Sequence, residues 1–296
     1  MLDMLTLSAH AQEFLEREGL DWGVNKIPLF NQDGTQPAPK LGIAREDTGE
    51  ILGVVGSRYQ PFQNDRMVEI VQRIADKADL DLATATVMNN GAKIALQLYT
   101  DDYPGLGNNA GTIKGYITVI NSHDGSTGLR FGNNLFDMWC KNQFFRIYNK
   151  LKGQFSFSHT TSINQMVDNA LFEIDTLRQR QLNIVGSFFH MADVGVTNEL
   201  INALTYRLTG VDRLAKDFDP ANYTLYKLNQ DGELRHAIIE EMSYKGQTRW
   251  GLFSGVTKFT THAMRAPKRE NGRLESKMFA SAGQWDNIAY DMLSVQ

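Results

Sequence analysis

A chain of 296 residues, 42% hydrophobic and 10% aromatic, has the length for a sizeable core and the composition of a globular protein. Its formal net charge of -4 excludes nucleic-acid binding through bulk charge, so any such binding needs a local basic surface. The one cysteine, Cys140, excludes an internal disulfide and any zinc-finger spacing.

The opening "MLDMLTLSAHAQEF" lacks the basic flank and long apolar run of a signal peptide. No window reaches the length of a membrane span, so an intracellular, soluble protein is expected. "LSAHAQEFLEREGL" reads as a first helix ending near Gly19, and "WGVNKIPLF" as a strand. "NQDGTQPAPK" is a loop. "LGIAREDTGEILGVVG" is a hairpin turned at Asp47 to Gly49. Asn64 is placed to cap a helix that carries Met67, Ile70, Val71 and Ile74 on one stripe. "TATVMNNGAKIALQLY" predicts a second hairpin about Asn89-Asn90-Gly91, followed by a flexible connection over 101–111.

Two strands, "TIKGYITVI" and "TGLRFGN", flank the stretch "NSHDGSTGLR". The aromatic-rich "LFDMWCKNQFFRIYNKLKG" is either a helix or a buried strand pair. Ser162 with Gln165 is a capping-box signature for a long helix, and a further helix follows Thr197. "NYTLYKLNQDGELRHAII" is a hairpin about Asp231-Gly232 or a mixed region. The tail from Arg249 reads as two helices around a basic, glycine-containing break. Strands thus dominate residues 20–160 and helices 161–296, which divides the chain into a mixed α+β core with hairpins over 1–160 and a mainly helical region over 161–296. The expectation is an α+β fold, with an N-terminal curved antiparallel sheet of hairpins and packed helices followed by a largely helical region.

His123 and Asp124 suggest a base and its orienting carboxylate. Adjacent strand residues point to opposite faces, however, so an Asp-Gly turn is the better expectation. His123, Asp124, Cys140 and His159 lack the short paired spacing of a metal site. There is no Gly-Lys dipeptide and hence no Walker A loop, and "GLGNNAG" has the wrong glycine spacing for a dinucleotide site. No cofactor, no metal and no covalent chemistry are expected. What does stand out is charge. From 111 to 160, six cations (Lys114, Arg130, Lys141, Arg146, Lys150, Lys152) face two acids and interleave with Trp139, Phe144, Phe145 and Tyr148. A second run from Lys258 to Lys277 again holds six cations against two acids. Cations beside aromatics are what a single-strand groove requires. The competing reading makes the aromatics core and the cations a solvated face.

The blocks "GLDWGVNKIPLF", "DTGEILGVVGSRYQPFQN", "NSHDGSTGLRF", "WCKNQF", "WGLFSGVTKFTTH" and "MFASAGQWDNIAYDML" keep their order along the chain. In them the sequence resembles the phage/plasmid-like protein family, a domain-of-unknown-function family of phages, prophages and plasmids. The resemblance covers nearly the whole chain, includes the His123-Asp124-Gly125 turn and the Cys140–Asn142 pair, and is thinnest over 215–248. It implies a mobile-element protein working on DNA in the host cytoplasm.

The helix-and-hairpin order is also similar in architecture to phage single-strand annealing proteins of the RecT, Red-beta and Erf type, which act without ATP as rings or filaments. The resulting expectation is a non-enzymatic single-stranded-DNA-binding and annealing protein that forms a homo-oligomer. A phage exonuclease or a host single-strand-binding protein would be a further partner. Lys141, Arg146, Lys150, Lys152, Arg130, Arg58 and Lys93 would meet phosphates, and Phe144, Tyr148 or Tyr59 would stack on bases. The alternatives are a counter-defence or regulatory protein that binds a host protein, and a metal-dependent nuclease using His123 and Asp124.

Overall fold

The computed structural model describes residues 7–35, 40–106, 111–148 and 163–295. Helix α1 (Ala9–Arg17) starts at Ser8, whose hydroxyl accepts the Ala11 N–H at 3.2 Å, and buries Ala11, Phe14 and Leu15 at helical spacing. Strands β1 (Val24–Pro28), β2 (Lys40–Arg45) and β3 (Ile51–Gly56) form one antiparallel sheet. The β2–β3 turn closes at Gly49, as its sequence predicts.

Helix α2 (Asn64–Ala78) buries the expected stripe, but Asn64 does not cap it. The cap position falls on Gln63. Asn64 is instead buried, and its amide donates to the carbonyls of Leu20 and Trp22. A buried amide with three partners satisfies more hydrogen-bonding capacity than one cap bond would.

Strands β4 (Asp81–Met88), β5 (Lys93–Pro104), β6 (Thr112–Ser122), β7 (Arg130–Asp137) and β8 (Gln143–Tyr148) make a second antiparallel sheet in sequential order. The fold is therefore α+β with hairpins, as expected, but with two sheets in place of one. The β4–β5 turn holds Asn89, Asn90 and Gly91 in left-handed conformations, the residue types that enter them most readily. The ambiguous segment after Leu135 resolves as the strand pair β7–β8.

Long helix α3 (Ile163–Asp193) is followed by α4 (Asn198–Thr209), capped by Thr197. Residues 222–239, read as a hairpin or mixed region, lie mostly within one helix, α5 (Leu225–Lys245). Leu234, Ala237, Ile238 and Met242 bury one helical face, and Asp231 is held inside by Arg213 (2.5 Å) and Arg235 (3.1 Å). Those contacts outweigh the turn preference of Asp-Gly and the roughly 1 kcal/mol that a mid-helix glycine costs. Helix α6 (Arg249–Lys258) runs into a π-helical turn, Phe259–Ala263. Helices α7 (Gly272–Phe279) and α8 (Ser281–Leu293) follow, so the tail holds three helices, not two.

Alternation along the second sheet divides the core. Ile94, Leu96, Leu98, Ile117, Val119 and Phe131 pack with α2 and with Ala170, Ile174 and Leu177 of α3. Ile113, Leu135 and Phe144 pack with α3 to α6 and α8. The opposite face presents Ala95, Ile120 and Phe145 to Met278 of α7. The change of secondary structure near residue 160 is real, but both larger cores straddle it.

Helices α5 and α6 touch at Gly255, where an added Cβ would sit 2.4 Å from the Ile238 Cα. Gly255→Ala is expected to lower the urea-unfolding free energy by about 2 kcal/mol. Gly232→Ala, at an exposed helical site with nothing within 4 Å, should raise it by up to about 1 kcal/mol. Equal effects at the two sites would contradict this packing.

Candidate nucleic-acid interface

The His-Asp-Gly stretch is a turn between β6 and β7. Gly125 has φ 73°, the Ser126 N–H donates to Asp124 at 2.8 Å, and the Ser122 hydroxyl donates to the Thr127 carbonyl at 2.6 Å. The ring of His123 is fully buried, 5.6 Å from Trp22 in an edge-on arrangement. Its Nε2 lies 2.9 Å from Asn64 Oδ1. Because the Asn64 amide nitrogen already donates to two carbonyls, its oxygen is the acceptor and Nε2 carries the proton. Burial pushes the His123 pKa down to about 4, against the pull of Asp124. The ring is neutral and inward-facing, whereas Asp124 turns to Lys93 at 3.7 Å. The two side chains point apart, one into the core and one to Lys93.

Cys140 is also inward-facing. Its sulfur accepts from Lys245 Nζ at 3.4 Å, and burial pushes the thiol up to about 12. Among the described residues no group of three or more His, Cys, Asp or Glu is placed to hold a metal. His159 lies outside the described residues.

The residues expected to line a groove over 141–152 are not brought together. Phe144 is core: it packs 5.3 Å from both Phe253 and Tyr290 and offers no face to a base. Arg146, two residues on and on the same face of β8, lies over Tyr290 and pairs with Asp291 at 3.0 Å. An edge strand covered on both faces by helices cannot display a cationic stripe. Lys93 bridges Glu275 at 2.9 Å and Asp124, which neutralises it. The Tyr59 hydroxyl donates to the Ser122 carbonyl at 3.0 Å. Arg130 opens β7 and is partly exposed. Arg58 is exposed just after β3. Tyr148 ends β8, and Lys150 and Lys152 lie outside the described residues.

The structure instead joins the two basic runs, which lie about 120 residues apart. The Gln143 N–H donates to the Thr261 hydroxyl at 3.4 Å, and His262 Nε2 donates to the Cys140 carbonyl at 3.3 Å. Between them opens a cleft of about 500 Å³ walled by Gln143, Thr261, Arg269, Asn271, Arg273 and Lys277. Lys277 is buried and paired with Asp286, and Arg269 pairs with Glu275 at 2.5 Å. Lys258 pairs with Glu240 at 2.7 Å. Arg273 donates to the Met264 carbonyl at 3.1 Å. Neither it nor Lys141, Arg265 or Lys268, all exposed, has a carboxylate within ion-pair distance among the described residues. Burial, with the positive charges of Lys277, Lys258 and Arg273, lowers the His262 pKa against the pull of the Cys140 carbonyl.

A family described as a domain of unknown function, DUF932, matches residues 51–282. The chain belongs to this family. The match bears out the expected domain-of-unknown-function membership; it carries neither a phage or plasmid origin nor a likeness to annealing proteins. It includes the His-Asp-Gly turn and both walls of the cleft. No curated protein and no solved structure matches the chain. No helix among the described residues is long and apolar enough to cross a membrane.

The neutral, buried His123 makes stability depend on pH. The unfolded ring takes a proton near pH 6.5, while the folded one resists it until about 4. The stabilisation is therefore full above pH 6.5 and is lost as the pH falls to 4, by roughly 3 kcal/mol. His123→Gln keeps a donor toward Asn64 and removes the titration. The difference in unfolding free energy between wild type and variant should shrink across that window, and a constant difference would refute the assignment.

Proposed function

We propose that the protein binds single-stranded DNA through the cleft between Gln143 and Arg273 and promotes strand annealing without ATP, in phage-type recombination or replication. The observation that carries this reading is a cleft lined by Arg269, Arg273 and Lys277 of the second basic run and closed by Gln143 of the first, in a chain whose net charge is negative. A cation without a carboxylate partner displaces condensed counterions when it meets a phosphate; Arg273 is such a cation in the cleft wall, and its bond to the Met264 carbonyl positions it beforehand. No bond is made or broken in such a mechanism. Phage origin and a site of action in the host cytoplasm rest on the sequence resemblance alone. Assembly of several copies would set weak clefts side by side and raise avidity. A phage exonuclease or a host single-strand-binding protein would supply or receive the strands.

A second reading, a counter-defence or regulatory protein bound to a host protein, is favoured by exposed Leu214, Leu225 and Tyr226 around the start of α5. The same surface suits a second copy in an annealing assembly.

Fluorescence anisotropy of a labelled single-stranded oligonucleotide separates these readings. Wild type should bind with affinity that falls steeply with salt. Lys141→Glu combined with Arg273→Glu should weaken binding at least tenfold and flatten the slope of log K against log salt by about 1.4, or 0.7 per lost phosphate contact. Its melting temperature should stay within a few degrees of wild type, since neither residue pairs with an acid. Salt-insensitive binding, or an unaffected double variant, would remove the cleft from the mechanism.

A further inference from the structure

The β7–β8 turn, Asp137 to Asn142, is held from every side. The Asp137 carboxylate accepts the backbone N–H of Trp139 at 2.9 Å and of Cys140 at 3.4 Å, and its other oxygen takes Lys245. The Met138 N–H donates to the Thr112 carbonyl at 2.9 Å. The Asn142 amide donates to the Ser254 carbonyl at 3.2 Å, and His262 holds the Cys140 carbonyl. Lys141 takes a left-handed conformation, φ 56°, to complete the reversal.

Within this fixed frame the side chain of Trp139 is left 60% exposed and Met138 45% exposed. Among the described residues no ring or cation lies against the indole. A large apolar ring on a pre-ordered turn, left uncovered by the described residues, is a platform for something outside them. Its surroundings say what. Lys141, two residues away, is exposed, and Gln143, which begins the cleft wall, is four residues away and so within about 14 Å. Asp137, the acid of this turn, is neutralised by Lys245.

We infer that Trp139 is a base-stacking residue, and that its ligand is an unpaired base of the strand whose phosphates lie along Lys141 and the Arg273 cleft. The inference rests on the proposed binding of single-stranded DNA and adds its selectivity. A base can lie on the indole only when it has left its own stack, so a duplex cannot use the site. Every base has a π-face, so the contact is indifferent to sequence. The stacking role expected of Phe144 thus passes to an aromatic residue five positions earlier.

The test compares a labelled thymidine oligonucleotide with an abasic strand of equal length, against wild type, Trp139→Ala and Trp139→Phe. Wild type should prefer the strand with bases. Trp139→Ala should weaken that strand by about 5- to 100-fold and leave the abasic strand unchanged, and Trp139→Phe should retain most of the preference. Equal losses on both strands, or none, would overturn stacking while leaving phosphate binding intact. A change in assembly mass without a change in base preference would place Trp139 against a second copy and also overturn it. Binding of neither strand by wild type would remove this inference and the proposed function together.

Discussion

Lys277 and Asp286 meet where neither side chain reaches water, with Thr260 donating to the carboxylate and accepting from the ammonium. Taking both charges out of solvent is expensive, and their attraction offsets that cost only while each keeps its partners. The pair joins α7, the π-helical turn and α8, alongside the stacking of Phe259 on Trp285. It sets the back wall of the cleft and the position of α7 over Phe145 and Ile120. Removing one partner would strand a buried charge, at a cost of about 3–5 kcal/mol. The geometry of the basic surface is thus secured by an interaction that itself contributes no exposed charge.

The local rules made much of this fold legible. Asp47 to Gly49 and Asn89 to Gly91 turn where their left-handed propensity predicts, and the stripe of Met67, Ile70, Val71 and Ile74 buries as written. The failures have physical causes. Asn64 carries a capping residue type, but a histidine 59 residues away takes its oxygen. Asp231-Gly232 carries a turn dipeptide, but two arginines and an apolar face make it helix. Phe144 and Arg146 sit in a run that reads equally well as a stacking groove and as core, and only the helices that cover β8 decide between them.

The candidate site was half legible. Both basic runs were visible as charge, but nothing in either shows that they meet, since the joining bonds are Gln143 to Thr261 and His262 to the Cys140 carbonyl. Trp139 was visible among the interleaved aromatics. What singles it out, exposure on an immobilised turn, exists only once Asp137 is tied to Lys245. The overall charge of -4 masked a surface in which acids such as Glu275, Asp286 and Glu240 are already spent on internal pairs.

The second sheet is a plain meander, so each strand can pair with its neighbour as soon as both have left the ribosome. β8 is the exception in what covers it. Phe144 and Phe145 wait for Phe253, Met278 and Tyr290, more than 100 residues further on. At the pace of translation that is an interval of about 5–30 s in which an aromatic edge strand stands open. Nascent chains emerging side by side would find in it their first opportunity to pair wrongly. The C-terminal helices shield this edge once they dock, and truncation before α8 would leave its aromatic side chains open to a second chain.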